Sequence, residues 1–169
     1  VFERALAADV SHIIITGTSL DKSQKAIELA EQYPNHLSTT AGVHPHDASQ
    51  FTKQTSNALK TLAKSSQVVA IGECGLDFNR NFSTPPEQLY AFEQQLKLAC
   101  ELGLPVFLHE RDAFDAQFAL LSKYRNELKG GVVHCFTGDI EQMNRYLDLD
   151  LYIGITGWVC DLKRGQALR

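Results

Sequence analysis

Polar residues, most of them able to bind a divalent metal, follow the apolar runs of this sequence, at the point where each run ends. Histidine and carboxylate side chains recur there, run after run. Proteins build divalent metal sites from mixed imidazole and carboxylate groups supplied by separate segments, so we predict a metal centre at these ends. The residues concerned are His44, His46, Glu73, Asp77, His109, Glu110, Arg111, Asp112 and His134.

Glu73 is the best candidate for the middle of such a site, because it directly follows the apolar run "VVAIG". A carboxylate placed between two metal ions about 3.5–4 Å apart can bridge them, and such a pair activates water and polarises a scissile bond. Asp77 could orient water or a ligand, and Arg111 could bind a phosphate group with both arms of its guanidinium. The pattern indicates hydrolysis without naming the bond that is broken.

The elements that must position these residues are strands and helices in alternation. Six apolar runs, most of them short and rich in Val and Ile, are typical of strands buried on both faces of a parallel sheet. Helical spacing fills the segments between them, as in "SLDKSQKAIELAEQY", "STPPEQLYAFEQQLKLACELG", "DAFDAQFALLSKYRNEL" and "DIEQMNRYLDLD". The alternation predicts an α/β fold. The predicted strands are residues 12–18, 37–46, 68–77, 104–112, 131–138 and 151–158.

Two architectures fit this order, a doubly wound open sheet and a (β/α)8 barrel. Functional residues collect at the carboxyl ends of the strands in both, and in a closed barrel those ends converge on one mouth. A barrel needs eight strands, and six are visible. Both ends of the chain, "VFERALAADV" and "RGQALR", have helical patterns. One further strand beyond each end would restore eight.

Composition bounds the remaining possibilities. The chain has 169 residues and a formal net charge of −4, so its surface as a whole is not a basic nucleic-acid platform. Bound metal could still supply positive charge for a phosphate substrate. The four cysteines form no CxxC pair, and we expect them to be reduced thiols in a cytoplasmic protein. No apolar run approaches the roughly 18 residues of a membrane span.

Five ordered motifs resemble those of the TatD family of metal-dependent deoxyribonucleases. They are "GVHPHD", "AIGECGLDF", "PVFLHERDA", "VVHCFTG" and "YIGITGW", and the resemblance covers essentially the whole chain. It implies a TIM (β/α)8 barrel of the metal-dependent hydrolase type, with 3′→5′ exonuclease activity on DNA, and it leaves RNA open as a second substrate. It also implies magnesium as the metal, although imidazole ligands favour manganese or zinc.

The resemblance assigns a role to each site residue. It implies Glu73, His109 and His134 as metal ligands and His44 as a residue lining the site, with Glu73 and His44 as the catalytic pair. His46, Asp77 and Arg111 are expected to bind substrate or to support the ligands. The family's first-strand HxH pair and its later "ETDaPY" Asp are not in the sequence. We therefore expect residues 1–169 to be a single domain, a barrel whose first strand and C-terminal part lie outside them.

Three functions remain open. The first is the nuclease, a monomer acting on single-stranded DNA ends without a membrane partner. The second is a small-molecule amidohydrolase or deacylase using the same metal site, which the net charge of −4 and the scarcity of Lys and Arg near the motifs favour slightly. The third is a barrel without catalytic activity that serves as a binding or quality-control protein, because one fold hosts many functions.

Overall fold

The computed structural model describes residues 2–162, 165, 166 and 169, and shows six parallel strands joined mostly by helices. The strands are β1 (Ile13–Ile15), β2 (Leu37–Ala41), β3 (Val68–Asp77), β4 (Val106–Arg111), β5 (Gly131–Val133) and β6 (Tyr152–Ile153). The helices are α1 (Phe2–Leu6), α2 (Leu20–Gln32), α3 (Lys53–Leu62), α4 (Pro85–Leu102), α5 (Phe114–Tyr124) and α6 (Ile140–Asp148). Short 3-10 helices cover Pro45–Gln50 and Gly157–Cys160.

The strands are paired in chain order, from β1 to β6, and every pair is parallel. A doubly wound sheet reverses its strand order at a switch point, and this sheet does not. The sheet is instead curled into a half-barrel. Its concave face encloses about 620 Å³ lined from all six strands, with Ile14 of β1 and Tyr152 of β6 at the two extremes. The sequential order settles the choice between the two architectures in favour of a barrel-like arc.

Five of the six predicted strands are shorter in the structure than the sequence suggested, and the sixth, β3, has its predicted bounds. The strand predicted over 37–46 ends at Ala41, because Pro45 has no N–H for a ladder and opens a 3-10 helix that His44 caps. The strand predicted over 151–158 is only Tyr152–Ile153, and a 3-10 helix follows. The helical pattern "RGQALR" includes residues that lie outside the described ones.

Helix α3 was not predicted. Its sequence, "KQTSNALKTL", is largely polar, and Leu59 is its buried residue. A capping box starts it, since Thr52 Oγ1 accepts a hydrogen bond from Thr55 N and Thr55 Oγ1 accepts one from Thr52 N. Two threonines form this box in place of the more familiar Ser/Thr and Glu/Gln pair, so the sequence signal for a helix start is weak.

Buried glutamines fasten helices to the loops and strand ends that carry the site. Gln88 and Gln95 are seven residues apart, so they lie on the same buried face of α4. Gln95 accepts from Val43 N at 2.8 Å and donates to Val43 O at 3.0 Å. Gln88 accepts from Asp77 N at 2.8 Å and donates to Asp77 O at 3.0 Å. Each amide satisfies both backbone groups of one residue that adjoins the site.

Replacing Gln95 by Leu should lower the free energy of unfolding by roughly 2–5 kcal/mol. The substitution keeps the volume but leaves two buried backbone groups of Val43 without partners, at about 1–3 kcal/mol each. Urea denaturation monitored by circular dichroism measures this. Gln54→Leu, at an exposed position of α3, is the control and should change the value by no more than about 0.5 kcal/mol. Equal effects of the two substitutions would show that Gln95 does not fasten the loop.

Candidate metal centre

Three histidine side chains from separate strands and loops converge on one carboxylate oxygen, Oε1 of Glu73. His134 Nε2 lies 2.6 Å from it, His109 Nδ1 lies 3.1 Å away and His44 Nε2 lies 3.7 Å away. The carboxyl ends of parallel strands meet at one edge of a sheet, which is why residues up to 90 positions apart along the chain become neighbours. These four residues are called the metal centre below.

Contacts with neighbouring elements hold Glu73 and His134 in position. Glu73 N donates to Gly17 O at 2.6 Å, which ties the end of β3 to the loop after β1. His134 N donates to Leu108 O at 2.9 Å, and the His134 ring stacks on Phe107 with 4.8 Å between ring centroids. The backbone at Glu73 and His134 is therefore held by hydrogen bonds to neighbouring elements, which fixes where these two side chains start.

Glycine at position 75 permits the close approach of β3 to β4. Gly75 has a φ of +138°, a conformation that side chains rarely adopt. A Cβ there would collide with the backbone carbonyl oxygen of His109 and lie 3.0 Å from Oε1 of Gln117. The motif "GECG" thus places Glu73 two residues before Gly75. Gly75 must lack a side chain for the β4 backbone at His109 to approach β3.

Burial and hydrogen bonding set the charges in the metal centre. Burial alone would raise the pKa of Glu73, but hydrogen bonds from His109 and His134 outweigh it and hold that pKa well below its usual value. Burial, together with the charge of His109, lowers the pKa of His44 to about 4. At neutral pH Glu73 is therefore an anion and His44 is uncharged.

The proton of neutral His44 has a defined place. His44 Nδ1 accepts a hydrogen bond from His46 N at 3.1 Å, so Nδ1 carries the lone pair and Nε2 carries the hydrogen. That N–H faces Glu73. In this tautomer His44 is a hydrogen-bond donor in the site, which separates it chemically from His109 and His134.

The donor set fits a divalent cation. One side-chain atom each of His44, Glu73 and His109 lies within 4.8 Å of the others, which is the spacing of a metal site. Because its Nε2 is protonated, His44 is a hydrogen-bond donor there, and Glu73 and His109 are the two that offer a metal a lone pair. His109 Nε2 is buried and has no hydrogen-bond partner within the described part of the chain, although Asp77 Oδ2 lies 3.4 Å away. A buried ring nitrogen without a partner is costly, and a metal would satisfy it. The arrangement can therefore hold a divalent metal.

Asp77 and His46 form a hydrogen-bonded pair next to the metal centre. His46 Nε2 lies 2.8 Å from Asp77 Oδ2, and Asp77 Oδ1 accepts from the backbone N–H groups of Asn79 and Arg80 at 3.0 and 2.8 Å. Burial would raise the pKa of Asp77, but the hydrogen bonds from Arg80 and His46 lower it. The carboxylate thus fixes both the loop after β3 and the His46 ring.

Arg111 and the two cysteines that neighbour the candidate ligands in the sequence lie outside the metal centre. Arg111 is exposed at the end of β4 and forms no ion pair with any residue that the structure describes. Cys74 is fully buried, and burial together with Glu73 raises the pKa of its thiol, which makes it a poor ligand. Cys135 contacts Thr156, with 3.4 Å between Sγ and Oγ1. The geometry therefore brings together the histidines and Glu73 but none of these three residues.

Sequence reasoning gave no role to several residues that shape the site. Gln88 and Gln95 escaped notice, although two polar residues seven apart on the apolar face of a helix were a signal. Glu110 was noted at a strand end without a function. It is half-buried and accepts a hydrogen bond from Ala113 N at 2.8 Å, and burial raises its pKa. It lines a cleft of about 600 Å³ that also includes Phe78 and Arg145.

The chain belongs to the TatD related DNase family, whose model matches residues 1–169. It is 57% identical over all 169 residues to the "3′-5′ ssDNA/RNA exonuclease TatD" of Citrobacter koseri, and it spans 65% of the length of that relative. Among solved structures, it is similar to the TatD homologue YJJV from Escherichia coli. The TM-score is 0.84 with 32% identity, over 93% of this chain and 61% of that one.

A TatD family hydrolase from Entamoeba histolytica is also similar, with a TM-score of 0.82 and 37% identity over 92% of this chain and 55% of that one. These similarities show the family and the fold of the described half-barrel. They confirm the resemblance that the five sequence motifs indicated.

Replacing Gly75 by Ala should lower the free energy of unfolding by about 2–5 kcal/mol, because it adds backbone strain and a collision with the β4 backbone. Gly157→Ala is the matched control, since a Cβ there has no atom within 4 Å and no left-handed φ is required. Urea unfolding of both variants checks this. If Gly75→Ala were as stable as Gly157→Ala, the close approach of β3 and β4 would not depend on this glycine.

Proposed function

We propose that this protein is a divalent-metal-dependent hydrolase that removes nucleotides from the 3′ ends of single-stranded DNA, with RNA as a second substrate. The observation that carries the proposal is the buried Glu73 carboxylate with three imidazoles within 3.7 Å of it. The name of the Citrobacter koseri relative, a 3′-5′ ssDNA/RNA exonuclease, supports the proposed polarity of digestion and the proposed substrates.

Glu73, His109 and His134 would hold the metal. A bound divalent cation would supply Lewis-acid polarisation of the phosphodiester and a more acidic water. Magnesium is the expectation from the family, while the imidazole nitrogens favour manganese or zinc. The charges of the ligands suit any of these metals, because Glu73 is ionised.

The remaining residues position groups and protons. His44 presents its Nε2–H to the site, where it can donate a hydrogen bond to a phosphoryl oxygen as negative charge develops there. Asp77 and His46 hold each other and the loop after β3, which supports the ligands. Arg111, exposed at the end of β4, can bind a backbone phosphate with both arms of its guanidinium.

The setting of this activity is also part of the proposal. We propose that residues 1–169 form one domain, six strands of an eight-stranded barrel, and that the protein works as a cytoplasmic monomer. The sequential parallel order of the strands supports the barrel. The described helices include none with the length and apolarity needed to cross a bilayer. The four cysteines are free, which is compatible with a reducing compartment.

The test is cleavage of a 5′-labelled single-stranded oligonucleotide by the full chain with saturating manganese or magnesium. Glu73→Gln keeps the shape of the side chain but removes its charge, and should reduce the rate at least about 100-fold. Isothermal titration of the metal should show weaker binding by the same variant. Glu127→Gln, an exposed position without a side-chain hydrogen bond in the described residues, is the control and should match the unsubstituted protein.

Two results would contradict the nuclease. One is undiminished cleavage in excess EDTA, and the other is full activity in Glu73→Gln. A parallel assay with lactones and acyl esters tests the alternative function, that of a small-molecule amidohydrolase or deacylase. Hydrolysis of one of these without release of nucleotides would favour the amidohydrolase or deacylase, and a chain that binds no metal would favour a non-catalytic role.

A further inference from the structure

Phe82 is exposed although the backbone around it is held firmly. The side chain is 67% exposed, in the loop between β3 and α4. On one side Asn81 Nδ2 donates to Phe78 O at 2.7 Å. On the other side Ser83 is buried, and its Oγ donates to His46 O and accepts from Ser49 N, both at 2.9 Å. The loop therefore presents the ring to solvent in a fixed position.

The ring is the outermost member of a row of rings that leads into the metal centre. Phe82 meets His46 edge-on, with centroids 4.7 Å apart and an interplanar angle of 84°. His46 contacts His44 at 4.3 Å, and His44 contacts His109 at 4.4 Å. One imidazole therefore separates Phe82 from His44, the donor that faces Glu73. Because Phe82 is 67% exposed, a large part of its ring surface remains available.

Two exposed arginines adjoin the strand end and the loop that carry Phe82. Arg80 is two residues before Phe82, and its backbone N–H binds Asp77. Arg111 lies opposite Asp77 in the register of β3 and β4. Both are exposed, and neither forms an ion pair with a residue that the structure describes. The end of β3 and the loop after it therefore adjoin an exposed aromatic ring and two exposed arginines, in a chain whose formal net charge is −4.

We propose that Phe82 is a stacking platform for a nucleobase of the strand whose phosphodiester bond enters the metal centre. This inference rests on the proposed function and specifies how that site takes its substrate. Proteins that bind single strands combine aromatic rings for the bases with cations for the phosphates. Every base has a π-face, so stacking on Phe82 provides affinity with little preference for sequence. Bases paired in a duplex do not offer that face, so Phe82 selects single-stranded ends.

The test compares Phe82→Ala and Phe82→Trp in the full chain, with cleavage of a single-stranded DNA oligonucleotide as the readout. Loss of a stacking partner should raise KM roughly 5- to 150-fold in Phe82→Ala and leave kcat within a few-fold. Phe82→Trp should retain the KM of the unsubstituted protein. Tyr33→Ala is the control: it removes a partly exposed aromatic just before β2, at the opposite end of the sheet, and should change neither parameter.

A second substrate distinguishes stacking from general damage to the site. An oligonucleotide with abasic residues at its 3′ end keeps its phosphates but has no bases there. The unsubstituted protein should bind it as weakly as Phe82→Ala binds the ordinary strand, and Phe82→Ala should lose nothing further.

Three outcomes separate the two proposals. If the unsubstituted protein cleaves DNA and Phe82→Ala has an unchanged KM, the stacking inference is wrong and the nuclease stands. An equal rise in KM on abasic and ordinary strands likewise overturns stacking. If the unsubstituted protein cleaves neither DNA nor RNA, the proposed function itself is wrong.

Discussion

The rest of the structure depends on stabilising one buried negative charge, the carboxylate of Glu73. Removing a carboxylate from water is costly, and it persists only where hydrogen bonds or cations compensate for the lost hydration. At Glu73 the compensation comes from His109 and His134, which approach the same oxygen to 3.1 and 2.6 Å. The result is an ionised carboxylate surrounded by imidazoles, and a divalent cation stabilises that combination more effectively than hydrogen bonds alone.

The fold can be understood as the means of assembling these groups. Parallel strands in chain order bring successive carboxyl ends to one rim, so the candidate ligands from β3 and β4 and from the segment after β5 become neighbours. Gly75 allows β3 and β4 to approach closely, and glutamines of α4 hold the backbone at Val43 and Asp77. Each device satisfies a backbone group or removes a collision near the site. The positions of the site residues therefore depend on buried contacts, which tolerate little variation.

Much of the site could be predicted from sequence because it depends on a repeating pattern. Apolar runs that end in His or Glu predict both a parallel sheet and a rim of ligands, and Glu73, His109 and His134 do meet there. The pattern gives no information on the loop after β2, where Pro45 ends the strand early and His44 becomes a cap. The tautomer of His44 follows from that cap and could not be read from residue types.

Long-range contacts were also beyond the reach of sequence patterns. Gln95 and Val43 are 52 residues apart, and their pairing depends on how α4 packs on the sheet. No sequence pattern singled out Phe82, and the role proposed for it rests on its ring contact with His46. The sequential strand order resolved the choice between an open sheet and a barrel-like arc, which strand–helix alternation alone had left open.

Crystals of the full chain grown with Mn²⁺ provide the most direct test of the claim that Glu73 organises a metal centre. If Glu73 organises the centre, an anomalous difference peak should lie about 2.0–2.3 Å from a carboxylate oxygen of Glu73 and from ring nitrogens of His109 and His134. The same claim predicts that the peak disappears in Glu73→Gln crystals grown in the same way. A peak held only by the acidic residues of the neighbouring cleft, such as Asp112 and Glu141, would contradict it, as would a peak that persists unchanged without the Glu73 carboxylate.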